Sequence, residues 1–206
     1  MLTSDTTTST RRSHIIEAAI RVLARDGIAE TTTRKIATEA NVNQAMLRYY
    51  FGSKDELLFA VLKTMMQLTR EIALSVTNPQ ATLHETIRNN LTAFWLHVEA
   101  EPELQIIQYE LTLYALRHPT SAWLAKEQYD GYCSVVETLF REASDAAQHP
   151  ETHSFAALAR FVIGGLDGLI LQYISDRNGD RAKQDLTRLI DTVIGLTDGL
   201  IYSSGD

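Results

Sequence analysis

The chain is predicted to fold as an all-α protein of about nine helices on three observations: apolar residues recur at helical spacing through most of its 206 residues, strand-like alternation of useful length is absent, and the four prolines all fall between helical runs. At 45% hydrophobic it can bury a real core, and its length leaves room for a small domain beside a larger one.

The opening MLTSDTTTSTRR is Thr/Ser-rich without an apolar pattern, so residues 1–12 are expected to form a flexible tail. From about Ser13, the residues Ile16, Ala19, Ile20 and Leu23 make one helical face, and Gly27 stands where such a helix ends in a left-handed conformation. Thr32 can cap a short helix, Thr33 to Ala40, that turns Ile36 and Ala37 inward, and Asn43 can cap the next, Gln44 to about Tyr50. The turn between them, Asn41-Val42-Asn43, needs one residue at positive φ; asparagine is the best-tolerated substitute for glycine there, so Asn41 fits and Val42 becomes the apolar plug. Ser53 and Glu56 spell the capping box of a helix running from Lys54 toward residue 75, with Leu57, Leu58, Val61, Leu62, Met65 and Leu68 at helical spacing until Asn78-Pro79 breaks it. Five more helices are expected at roughly 81–100, 103–117, 121–147, 154–175 and 182–202, separated by Glu101-Pro102, His118-Pro119, His149-Pro150 and Arg177-Asn178-Gly179-Asp180.

Charge is unevenly spread. The net charge is −7, yet residues 1–62 hold eight Lys/Arg against seven Asp/Glu, so the acidity belongs to the C-terminal part. No run approaches the roughly 18 apolar residues of a membrane span, and the N-terminus is polar; a cytoplasmic protein without membrane contact is expected. The single cysteine, Cys133, cannot form an internal disulfide and reads as an ordinary packed thiol. The six histidines are scattered, and no H-E-x-x-H, Cys/His cluster, glycine-rich phosphate loop or serine elbow is present, so no catalytic residue, cofactor or metal is assigned. Carboxylates meeting in space keep an all-α small-molecule enzyme as one alternative; a protein-binding adaptor that uses the same head is another.

Two short helices joined by a tight turn, with a third packed behind, make a helix-turn-helix whose second helix enters the DNA major groove. The residues that build it are T-x-x-x-I-A-x-x-A from Thr32 to Ala40, then N-V-N-x-A-x-L-x-x-Y-F, then G-S-K-D-E-L. In these the chain resembles the TetR family of transcriptional regulators, densely over residues 13–62 and only in helix count and length beyond. The implied organisation is a three-helix DNA-binding head over 13–62 and a larger helical ligand-binding and dimerisation domain over 63–206. The resemblance also implies a homodimer, a palindromic double-stranded DNA operator and a small-molecule effector of unknown identity, with release of DNA as the usual response. Two positions depart from the pattern: Asn41 stands where glycine is commonest, and Arg48 where a phosphate-contacting tyrosine is common.

Gln44, Ala45 and Met46 open the recognition helix toward base edges, Gln44 suited to adenine and Ala45 or Met46 to a thymine methyl. Arg48 either grips phosphate or reads guanine. Tyr49 and Tyr50 carry hydroxyls suited to phosphate, or else are core aromatics like Phe51. Lys54 adds charge at a helix N-terminus, Thr32, Thr33 and Arg34 clamp from the other side of the groove, and Asn43 belongs to the same DNA-facing set. Arg11 and Arg12 either follow a groove or are a solvated pair.

A head of this size reads few base pairs, so two copies spaced about 34–36 Å are needed. The last two helices are more apolar than a surface helix requires, and Phe161, Gly164, Gly165, Gly168, Leu189 and Val193 are the expected interface; alternatively the glycines relieve crowding inside one subunit. In the helix 103–117, two apolar stripes flank the line Glu103, Glu110, Arg117. Glu110 mid-helix either faces a ligand cavity walled by Trp95, Tyr109, Tyr114, Trp123, Tyr129 and Tyr132, or lies in a narrow solvent seam beside core aromatics.

Overall fold

In the computed structural model, backbone is described for residues 3–146 and 155–202, and side chains for 9–144 and 155–198. Among the described residues there are nine helices: α1 (Thr3–Glu30), α2 (Thr33–Glu39), α3 (Gln44–Phe51), α4 (Lys54–Ser75), α5 (Leu83–Ala100), α6 (Pro102–Arg117), α7 (Ala122–Ala146), α8 (Phe155–Asp176) and α9 (Gly179–Tyr202).

Most boundaries follow from local chemistry. Thr32 Oγ1 accepts from Lys35 N at 3.2 Å and Asn43 Oδ1 from Met46 N at 2.8 Å, each satisfying an amide that the first turn of a helix leaves open. Asn41 takes φ 51°, as the tight turn requires. Gly27 sits at φ 71°, ψ 169° and kinks α1 before its last residues. Ser53 caps α4 through Glu56 N at 3.1 Å, but its own N–H already bonds Phe51 O at 2.8 Å and leaves the reciprocal half of the expected box without a donor. A complete box occurs instead at Thr82 and Glu85, opening α5.

Two boundaries differ from expectation. α1 begins at Thr3, so residues expected in a flexible tail are helical: nothing in the Thr/Ser run breaks a helix, and extending one that Ile15–Leu23 already anchors needs no new nucleus. α9 starts at Gly179 because Asn178 Oδ1 caps Arg181 N at 3.1 Å.

Two compact units result. The first joins residues up to Gln67 with Glu103–Gln128, so the head expected at 13–62 shares its unit with α6 and the start of α7. Its core contains Ile15, Val22, Ile36, Leu47, Leu58 and Val61, and extends to Ile107, Leu111 and Ala115 of α6 and Leu124 of α7. A fully buried Leu or Ile contributes about 1.5–3 kcal/mol, so Ile107 and Leu111 alone fix α6 firmly to the head. The second unit comprises Leu68–Pro102 and the residues from Tyr129 onward. Its centre is α5 packed on α9 and α9 on α8, through Leu83, Ile87, Leu91, Trp95, Val162, Ile170, Leu186 and Val193. α8 is long and apolar enough by composition to cross a membrane, yet only 33% of its apolar window is buried within the chain.

Candidate nucleic-acid interface

α3 has two unlike sides. Leu47 and Phe51 are buried in the core of the head, Met46 and Tyr50 pack partly against it, and Gln44, Ala45, Arg48 and Tyr49 are exposed. Tyr49 is 80% exposed and meets Tyr50 edge-on at 5.1 Å, so of the adjacent tyrosines one is free to reach outward while the other is half held by the core. A surface groove of about 390 Å³ runs beside this helix, lined by Thr33, Gln44, Ala45, Arg48, Gly52, Ser53 and Lys54. It ends at the N-terminus of α4, where the helix dipole and Lys54 both favour an anion.

The cations of the head fall into two sets. Arg21 and Arg25 bond the Glu39 carboxylate at 2.9 and 3.2 Å, and Lys35 reaches Asp26 at 3.0 Å. Hydrogen bonds from Arg21 and then Arg25 hold the Glu39 carboxyl below the ordinary carboxylate range, so these pairs stay ionised and cancel locally. Arg34, Arg48 and Lys54 have no such ion-pair partner among the described residues. Arg12 lies over the Phe51 ring at 5.0 Å, which ties it to the end of α3 rather than to a loose tail. The charges left uncompensated are therefore those on either side of the exposed edge of α3. Thr32 also faces solvent, its hydroxyl engaged in the cap of α2.

Glu110 and the six aromatic residues expected to wall its ligand cavity are divided between the two units: Tyr109, Glu110, Tyr114 and Trp123 lie in the first, Trp95, Tyr129 and Tyr132 in the second. Glu110 finds its partner inside the protein. Its Oε2 accepts from Ile28 N at 3.0 Å, just past the Gly27 kink, satisfying a mid-helix charge that otherwise called for a ligand or water. Tyr114 donates to Asp55 Oδ1 at 2.7 Å; burial, and then this bond, push its hydroxyl up to about 12. His118 stacks at 4.6 Å from Tyr114, with Nδ1 4.0 Å from Asp55, and Phe59 closes the cluster. Sequence reading missed Phe59, Asp55 and His118 as a group, because only folding brings α4 and α6 together. Trp123 is 55% exposed, with Nε1 bonded to Thr120 O and Lys63 Nζ 4.9 Å over its ring, and it lines an open surface pocket of about 260 Å³ together with Phe59, Lys63 and Leu124. Tyr109 is half-buried.

In the second unit Trp95 is fully buried, edge-on to Tyr173 at 5.6 Å. Tyr129 and Tyr132 meet edge-on at 6.3 Å, and burial, then Asp167, hold the Tyr129 hydroxyl protonated far above its ordinary range. The expected interface residues separate clearly. A Cβ on Gly165 would lie 2.7 Å from Leu189 Cδ1, and Val193 is wholly buried, so Gly165, Leu189 and Val193 serve the packing of α9 on α8 within one chain. Phe161 is 46% exposed, and a Cβ on Gly164 or Gly168 would meet nothing within 4 Å. Exposed Leu171 and Leu196, and Gly195 with open space at its Cβ, add to the apolar and glycine surface of α8 and α9.

Comparison with known proteins covers both parts of the chain. Residues 15–61 match the family described as bacterial regulatory proteins, tetR family, and residues 83–196 match the tetracyclin repressor-like C-terminal domain. The HTH-type nicotine-responsive transcriptional repressor HdnoR of Paenarthrobacter nicotinovorans is 31% identical over 186 residues, covering 89% of this chain and 94% of its own length. The HTH-type transcriptional regulator BetI of Brucella melitensis is 27% identical over 173 residues, 72% of this chain and 87% of BetI. Among solved structures, the multidrug binding protein EbrR complexed with imidazole aligns with a TM-score of 0.63 at 28% identity, covering 87% of this chain and 94% of that one; the same protein is also known complexed with ethidium. An exposed recognition helix between uncompensated cations and domain matches on both sides of α4 lead to one conclusion: the chain belongs to the TetR family, as a ligand-responsive DNA-binding transcriptional regulator.

Proposed function

We propose that the chain acts as a homodimeric repressor that occupies a palindromic operator and is released from it by a small nitrogen-containing organic base. The observation that carries the DNA reading is the exposed side of α3, where Gln44, Ala45, Arg48 and Tyr49 stand beside unpaired Arg34 and Lys54 while neighbouring cations are neutralised. Gln44 and Ala45 take base edges, Met46 contributes from its half-buried position, and Tyr49, Lys54, Thr32, Thr33 and Arg34 hold phosphates. Tyr50, partly packed in the core, orients Tyr49 and offers its hydroxyl to the backbone.

The second copy is supported by the outer surface of α8 and α9: Phe161, Leu171 and Leu196 are apolar and exposed, and Gly164 and Gly168 leave room for another backbone. The effector class is supported by the relatives, one nicotine-responsive and one complexed with imidazole and with ethidium, all three of them nitrogen heterocycles. Coupling runs through α6. It follows α5 after the single residue Glu101, and it is fastened to the head by Glu110 on Ile28 and Tyr114 on Asp55. A base that favours one setting of α6 shifts the population of DNA-competent heads.

Selecting bound DNA from a random pool tests the repressor reading. A palindrome with half-sites about 34–36 Å apart is expected, with affinity falling steeply as salt rises. Enrichment of no motif, or of a single unrepeated half-site, overturns it. Nicotine or imidazole added to the complex tests the effector class by loss of the shifted band, and ethidium, which intercalates into DNA, is tested by binding to the DNA-free protein.

A further inference from the structure

The inward side of α5 has two edges in different company. One edge is engaged with α8 and α9: His84 with Asp198 at 2.8 Å, Arg88 with Asp191 at 3.4 Å, Glu99 with Lys183 at 3.5 Å, and Trp95 against Tyr173. The other edge carries Asn90, Phe94 and His97 within about 60° of arc, on successive turns. All three are half-buried.

Asn90 is the unusual member. Its Oδ1 is buried and has no hydrogen-bond partner among the described residues. Its orientation is set, because Nδ2 donates to Thr86 O at 3.1 Å and turning the amide over would press Oδ1 against that carbonyl. A fixed acceptor without a donor is costly to keep inside a protein unless something supplies the donor. Its neighbours narrow the choice. Phe94 offers a ring, and burial, opposed less strongly by the charge of Glu101, keeps the His97 imidazole below its ordinary pKa and hence neutral. An acceptor, an aromatic ring and an uncharged imidazole suit a cation bearing N–H and contain nothing that repels it.

We propose that Asn90 Oδ1 receives the N–H of a protonated nitrogen base, making Asn90 the residue of α5 that selects charged over neutral effectors. The assignment rests on the nitrogen-base reading above and names the group that reads the charge. It is tested with full-length protein bound to its selected operator, each variant referenced to its own effector-free complex. Nicotine, whose pyrrolidine nitrogen is protonated at neutral pH, is compared with cotinine, the neutral lactam of the same skeleton. Wild type should respond to nicotine at lower concentration than to cotinine. Asn90→Asp should lower the nicotine concentration needed by about tenfold and Asn90→Leu raise it by about tenfold, while cotinine moves less than about threefold. Should Asn90→Leu fail to fold, the near-isosteric Asn90→Asp carries the test. Nicotine responses within about twofold of wild type in the folded variants overturn the role of Asn90 and leave the effector class standing. A wild-type complex indifferent to nicotine, cotinine and imidazole overturns the effector class itself, and this assignment with it.

Discussion

α3 and α8 each leave on the surface what a single folded chain has no use for, and they do so with opposite chemistry. α3 buries Leu47 and Phe51 and turns out a nearly free tyrosine, an amide and an unpaired guanidinium. α8 buries Val162, Leu166 and Ile170 and turns out Phe161, Leu171 and two glycines whose Cβ positions are empty space. Exposed donors and cations suit an anionic partner that stays hydrated; exposed apolar area with missing Cβ atoms suits another backbone brought close. The contrast separates the affinity of each head for DNA from the doubling that makes affinity useful.

The largest effect is expected where doubling is broken. Phe161→Glu combined with Gly168→Glu puts two carboxylates on the outer face of α8, where neither displaces an internal neighbour of Gly168. The variant should sediment as a monomer and lose about 10²–10⁴-fold in operator affinity, the gain that linking two binding modules provides. A variant that stays dimeric with undiminished operator affinity moves the interface elsewhere.

Arg48→Ala addresses the other side of the contrast. If Arg48 reads guanine, about 1–3 kcal/mol is lost and specificity relaxes at one operator position; if it holds phosphate, binding weakens evenly and the salt slope falls by about one. Anisotropy titrations over several salt concentrations, on the operator and on single-base variants, distinguish the two outcomes. Either keeps the recognition surface on α3, whereas an unchanged affinity removes Arg48 from it.

Caps and turns were legible in the sequence because they are decided within four residues: Thr32, Asn43 and Asn41 behave as their side chains dictate. The exposed readers of α3 were legible for the same reason, since the apolar spacing of Leu47 and Phe51 leaves the other positions outward. What sequence could not reveal lies between distant segments. Gly165 and Gly168 are indistinguishable as letters, yet one faces Leu189 and the other faces nothing. The complete capping box at Thr82 was spelled as plainly as the one at Ser53, and only the 2.8 Å bond from Ser53 N to Phe51 O explains why the latter is half made. Glu110 looked like a charge in need of a ligand because its donor, Ile28 N, lies 82 residues earlier in the chain.

That long-range pair predicts an intermediate effect. Glu110→Ala leaves the half-buried Ile28 N–H without its acceptor and should destabilise the first unit by about 1–3 kcal/mol in urea unfolding, while Glu110→Gln, which keeps an acceptor oxygen, should recover much of the loss. Operator binding sharpens the comparison between the heads and their control. Loosening α6 from Ile28 should blunt the response to effector more than it weakens effector-free DNA binding, because the readers on α3 are untouched. Equal losses in both make Glu110 a support of the head and nothing more.

The smallest effect concerns His97. Burial lowers its pKa in the folded protein below the ordinary histidine value of 6.5, with the charge of Glu101 acting the other way. As pH falls through about 6.5 the unfolded chain therefore takes up a proton that the folded chain still refuses, and by linkage the folded state loses stability until its own lowered pKa is passed. Above about 6.5 both forms are neutral and His97 contributes no slope. Urea midpoints at pH 7.5 and pH 5.5 should then differ more for wild type than for His97→Gln, whose side chain cannot charge. Since Asn90 shares that edge of α5, effector binding which shields His97 should deepen the difference between the two pH values, and an effector that leaves it unchanged is seated away from this edge.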